Sequence, residues 1–242
     1  MRPYLLSVIF ISNISLAQVD SEGEKIPDPH RFYLGLMAAP ELADDFMTTD
    51  DNALQGTVDF LNEFYLPKFS YTAGLDFLFV MNQRISLQSG IHYSNKGNRI
   101  KKAYLTDMFG APVDPEAIKA NYSHHYIEVP LKINYNVCFE KFKLYFSGGV
   151  IPGFLAGRST TNIAYYQNGD VDRNTTSTIS NDATRINLSA TIGTGLDFFI
   201  NSKMTFRIEP TAKMSLLKLA PDANFTSHLW STGINFSYLI GI

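Results

Sequence analysis

A single cysteine, Cys138, stands in the whole chain, so no disulfide can close within it, and no His and Cys cluster at ligand spacing points to a metal or other cofactor. Charge of one sign is also lacking: 20 Lys and Arg face 23 Asp and Glu, for a formal net charge of -3. That balance gives no basic excess for a phosphate backbone, so no nucleic-acid partner is expected. Beyond the N-terminal stretch there is no run of about 18 apolar residues, which removes a membrane-crossing helix. It does not remove membrane-crossing strands, because a β-barrel carries its signal in alternation and not in long runs.

What is present begins with an export signal. Arg2 supplies a positive start, Tyr4 to Ile14 an apolar core, and Ser15-Leu16-Ala17 a small-x-small cleavage site. Residues 1–17 therefore read as a signal peptide, 18–30 as a flexible periplasmic lead-in with Pro27 and Pro29, and 31–242 as one large β domain. Lipoprotein anchoring is not expected, since no cysteine stands near the cleavage site to carry the lipid.

The clearest alternation lies in 184–217. Ile186, Leu188, Ala190, Ile192, Leu196 and Phe198 share one face, and Arg185, Asn187, Ser189, Thr191, Gly193, Gly195 and Asp197 the other. After the turn Asn201-Ser202-Lys203 the same two faces continue through Phe206, Ile208 and Met214 and through Arg207, Glu209 and Lys213. Each arm exceeds the ~9 to 11 residues a tilted strand needs to cross a bilayer. Similar alternation marks a short strand from Phe32 that stops near Pro40, then strands over 69–80, 84–98, 122–137 and 142–156, and a last strand after 226. Tight turns at Asn82, Glu140 and Ser202 alternate with long connections at 41–68, 99–121 and 157–183 and a shorter one at 218–226. Helical spacing of Leu54, Val58, Leu61 and Tyr65 places a turn or two of helix in the first connection. Pro130 and Pro210 fall inside strands, where bulges or local breaks are expected.

This pattern is all-β: an eight-stranded antiparallel up-and-down transmembrane β-barrel with short periplasmic turns and long extracellular loops. A soluble lipocalin-like barrel also has one polar and one apolar face, so alternation alone leaves it open. Three features favour the membrane. The polar face is rich in small residues such as Gly74, Gly90, Gly149 and Gly233, which suit a crowded interior, while the apolar face carries almost no charge. Aromatic residues gather toward strand ends, with Phe77, Phe142, Phe198 and Phe206 near the turns and Tyr71, Tyr93 and Trp230 near the loops, as two girdles would require.

Several stretches resemble the PorT-like outer-membrane β-barrel family of Bacteroidota: Phe69-Ser70-Tyr71-Thr72-Ala73-Gly74-Leu75, Ser89-Gly90-Ile91-His92-Tyr93-Ser94-Asn95-Lys96-Gly97, His125-Tyr126-Ile127-Glu128-Val129-Pro130-Leu131-Lys132 and Arg207-Ile208-Glu209-Pro210. The likeness covers most of the chain from Phe32 onward and is least in the loops; the N-terminal region does not look like the PorT protein itself. The resemblance implies an outer-membrane barrel with a periplasmic N-terminus. Some members of that wider group serve the type IX secretion machinery, so an envelope or secretion-machinery protein is an expected partner beside outer-membrane lipid.

The candidate site is the set of charges on the inward face: Asp76, Glu128, Lys132, Arg185, Asp197, Arg207, Glu209 and Lys213. Singly they are costly to desolvate, so they should pair with one another or keep water. An eight-stranded barrel is just wide enough for side chains, which favours an ion-paired plug over a narrow, gateable pore. His92-x-Ser94 is similar to the His-x-Ser pair of an outer-membrane lipid A deacylase, where imidazole activates serine. Both residues lie on the inward face, however, and read better as polar filling. His124 and His125 are neighbours on a strand, point to opposite faces and do not readily share a metal. The sequence thus points to a non-enzymatic outer-membrane barrel acting through its external loops or periplasmic rim, with a small pore or a lipid-modifying enzyme as the alternatives.

Overall fold

The computed structural model describes residues 30–138, 142–178, 185–219 and 226–242. The expected signal peptide, the lead-in up to residue 29 and the expected turn Phe139-Glu140-Lys141 lie outside the described residues. The elements are β1 (Phe32–Thr48), α1 (Gln55–Phe64), β2 (Tyr65–Val80), β3 (Ile85–Lys96), β4 (Asn98–Ile100), β5 (Ala103–Thr106), β6 (Pro112–Glu128), β7 (Leu131–Cys138), β8 (Phe142–Tyr165), β9 (Val171–Thr178), β10 (Ile186–Phe199), β11 (Met204–Ser215) and β12 (Thr226–Gly241).

These form one antiparallel sheet of 12 strands that closes on itself. Pairing runs from β1 to β2 to β3, from β3 to both β6 and β7, from these to β8, then through β10, β11 and β12 back to β1. Closure leaves this circuit without a free edge. Two turns are made by asparagine side chains that replace backbone acceptors: Asn82 Oδ1 accepts from the N–H of Arg84 and Ile85 at 2.9 and 2.8 Å, and Asn201 Oδ1 from Lys203 and Met204, both at 2.9 Å.

Twelve strands rather than the expected eight arise for two reasons. The first is Pro130, which has no N–H to give and interrupts β6 and β7 at Val129-Pro130. The register is unchanged across the gap: His92↔Glu128 and Ser89↔Leu131 lie on the same line of pairing. Pro40 and Pro210 act likewise, deleting pairs from the β1–β12 and β10–β11 ladders without shifting them, so these three prolines make breaks and no bulges. A register shift in the closed circuit lies between His125 and Tyr126, where β6 meets β8.

The second reason is that the expected loops at 99–121 and 157–183 contain strands. β8 runs 24 residues, its far half pairs with the first part of β6, and β9 folds back along it while β4 and β5 lie on the other side. Every residue of β9 is exposed. A Thr- and Asn-rich segment cannot build a core, but β-branched threonines suit a hydrogen-bonded ribbon that stands in water. β1 also passes Pro40 and continues to Thr48, where Asn62 of α1 caps it by bonding the N–H and C=O of Met47 at 3.1 and 2.9 Å.

The two faces of the circuit are inverted relative to a water-soluble barrel. Ser70, Thr72, Asp76, Ser86, Asn134, Arg207, Glu209 and Ser237 are buried in the interior, while Leu36, Phe77, Ile91, Ile133, Phe146, Ile192 and Ile234 are exposed on the outside. A lipocalin-like barrel would bury the second set, so the soluble alternative does not describe this molecule. Exposed aromatics lie at both ends of the wall: Phe32, Tyr135, Phe142 and Phe198 toward the tight turns, and Phe46, Phe69 and Tyr71 toward the extension.

Candidate functional site: the barrel interior

Strand parity aims the even residues of β2, β3, β6 and β7 and the odd residues of β8, β10, β11 and β12 at the barrel axis, so charges distant in sequence converge there. Nearest the tight turns, Arg207 is fully buried and grips Asp197 with both arms of its guanidinium, Nε to Oδ1 at 2.7 Å and Nη2 to Oδ2 at 2.9 Å. Its third nitrogen donates to Gln88 Oε1 at 3.0 Å, and Lys143 Nζ stands 3.4 Å from the same aspartate. The guanidinium lies 4.1 Å from the Tyr145 ring centroid, a cation–π contact in a dry setting. Tyr145 reaches this position across Gly195, where a Cβ would overlap its ring.

Farther along the axis, Asp76 accepts from Gln88 Nε2 at 3.2 Å and Ser237 Oγ at 2.8 Å and lies 2.9 Å from His92 Nε2. Glu209 takes both oxygens to Lys132, at 3.0 and 2.8 Å, and also receives Ser147 and Asn235. Lys213 bonds Glu41, which Thr72 also bonds at 2.9 Å, and Lys96 bonds Glu128. Apolar layers lie at each end of this column: Tyr33, Leu78, Val80 and Leu239 by the tight turns, and Tyr126, Leu155 and Leu229 by the extension, with Leu219 against them.

Of the eight charges singled out from the sequence, seven stand in this interior. Arg185 does not: it precedes β10 and is exposed, because the wall's paired register begins only at Ile186. Four partners escaped the sequence reading. Glu41 was hidden by ending the first strand at Pro40, whereas Lys96 and Lys143 share the parity of Ser94 and Tyr145 and were legible by counting two residues from each. Gln88 was on the inward stripe but carries no charge to mark it.

His92 and Ser94 are both buried on the inward side, with His92 turned to Asp76 and Ser94 Oγ accepting from Thr72 at 3.1 Å. Neither meets the outer surface where a lipid would lie. His125 is on the outside, between Tyr93 Oη at 2.6 Å and Ser159 Oγ at 3.0 Å, a hydrogen-bonded chain without a charged member. His124 is turned away from it, opposite Arg158 on β8. Among the described residues no three His, Cys, Asp or Glu gather in a way that would hold a metal ion.

A closed antiparallel barrel with paired charges inside and hydrocarbon outside has the solvent order of a bilayer, not of water. Solved structures similar to the chain include neisserial surface protein A (10% identity, TM-score 0.44, covering 87% of this chain and 97% of that one). Others are Ail, the attachment invasion locus protein of Yersinia pestis (11% identity, TM-score 0.35, 86% and 99% covered), and the outer membrane enzyme PagL (12% identity, TM-score 0.39, 85% and 99% covered). No curated protein matches the chain. The family model described as "Outer membrane protein beta-barrel domain" matches residues 51–216, most of the chain, and so this protein belongs to that family and resides in the outer membrane.

Proposed function

We propose that this protein is an exported, PorT-like, eight-stave barrel with a sealed interior, a non-enzymatic component of the outer membrane that binds through the strands standing beyond the bilayer. Counting β6 and β7 as one interrupted stave and setting aside β4, β5 and β9 gives eight crossings. The observation that carries the reading is the interior itself. Five acid–base pairs, Asp197–Arg207, Asp76–His92, Glu209–Lys132, Glu41–Lys213 and Glu128–Lys96, fill the space between two apolar layers. A lumen so occupied has no room for a permeation path, and its His and Ser are engaged away from lipid. Binding then falls to the external extension or to the periplasmic rim, where an envelope or secretion-machinery protein and the surrounding outer-membrane lipid are the partners.

The experiment is protease shaving of intact cells. Cleavage is expected within 41–68, 99–121 or 157–183, with the turns at Asn82 and Ser202 protected; cleavage at those turns alone would invert the orientation and refute the reading.

A further inference from the structure

Beyond the circuit, β6, β8 and β9 stand side by side, and their even-numbered residues share one face. Cross-strand pairing sets Ala120 opposite Asn162 and Asn162 opposite Asn174, while Ile118, Ala164 and Asp172 form the next row and Tyr122 the row nearer the wall. A cavity of about 250 Å³ opens on this face, lined by Ile100, Ile118 and Ala164 and by Lys119, Tyr122, Asn162, Asn174 and Asp172. Tyr122 is held upright by Tyr65, ring centroids 6.3 Å apart at 72°. The side chains of Asn162, Asn174 and Asp172 make no hydrogen bond with the other described residues and are exposed.

We infer that this cavity binds the terminal sugar of a neutral oligosaccharide; the inference deepens the proposed external binding role and rests on it. The chemistry is that of a polyol. Directly opposed residues on neighbouring strands put the two asparagine side chains roughly 4.5 to 5.5 Å apart, and Asp172 lies two residues from Asn174, roughly 7 Å along the same face. Each amide offers donors and an acceptor, and the carboxylate accepts twice, so adjacent hydroxyls that both donate and accept are matched on every side. The apolar floor and the Tyr122 ring cover the C–H face of a pyranose. A purely apolar ligand would strand the three polar groups, and with Lys119 and Asp172 both in the lining the cavity carries no net charge to favour an ion. The volume falls below the ~300 to 1,000 Å³ of drug-sized sites, so it admits the end of a chain whose remainder extends into solvent.

The test uses the full chain folded in detergent micelles, applied to an array of neutral tri- to pentasaccharides of glucose, galactose, mannose and N-acetylglucosamine, with the retained glycan then titrated calorimetrically. Asn162→Ala and Asn174→Ala should each weaken that glycan about tenfold, the loss of roughly one well-made polar contact. Thr161→Ala, on the opposite face of the same strand, should leave it unchanged. Failure to retain any glycan, or equal binding by the asparagine variants, would overturn the inference while a heat-modifiable wild-type band still upheld the barrel. Loss of heat-modifiable mobility in the wild type would instead overturn the barrel reading on which the inference rests.

Discussion

Arg207 is fully buried with a charge that cannot be removed at any ordinary pH, so its stability depends on what surrounds it. Asp197 answers it bidentately, Gln88 takes the remaining nitrogen and Tyr145 covers its face. Asp197→Ala should therefore destabilise the barrel by about 3 to 5 kcal/mol, because it leaves a cation in a low-dielectric interior. Adding Arg207→Met should recover part of that loss, since the double variant no longer leaves the guanidinium buried without its carboxylate; urea titration in lipid vesicles reads the cycle, and strict additivity would refute the pairing. His124 supplies a pH test outside the membrane-crossing part of the wall. Burial, then the nearby Arg158 and Lys68, push its imidazole down to about 3. An unfolded histidine protonates near 6.5, so between there and pH 3 the unfolded chain binds more protons and stability must fall as the pH is lowered. His124→Gln should flatten that slope, which acid titration of unfolding would detect. These residues also mark the limit of sequence reading. That Lys132 and Glu209 lie on inward stripes follows from parity, but that they touch each other depends on where β7 and β11 stand around the circuit, and parity carries no such information.

The strands of the circuit were legible where alternation was long and the turn chemistry local. Asn82 and Asn201 announce their turns because a side-chain oxygen can replace a backbone acceptor only at such a corner, and the faces of β10 and β11 follow residue by residue from Ile186 to Ser215. The extension was not legible. β9 has no apolar face, so nothing distinguishes its threonines from a loop until β8 is there to pair with them. Pro40 misled for the opposite reason: a missing N–H was read as an end, although β1 tolerates the lost pair because its register is held on both sides. The assignment of faces can be tested at this scale. Ile192→Arg or Leu131→Arg, each exposed on the apolar side, should cost about 2 to 4 kcal/mol of folding free energy in lipid, while Thr176→Arg on the exposed β9 should cost little. Equal costs at the two kinds of site would contradict the membrane face.

At the scale of the whole molecule, a closed sheet has satisfied its backbone, turned its apolar residues outward and filled its axis with acids and bases taken from strands far apart in sequence. Each of these is required of a structure whose outer solvent is hydrocarbon, and the last decides whether it is a wall or a channel. The most direct test is the electrical behaviour of the purified protein in a planar bilayer. A filled axis predicts no steady conductance from the wild type, and no change in ion selectivity to measure when Glu128→Gln or Lys132→Gln is introduced. A steady, multi-ion conductance in the wild type, altered in selectivity by either substitution, would contradict the account and make the buried charges the lining of a pore.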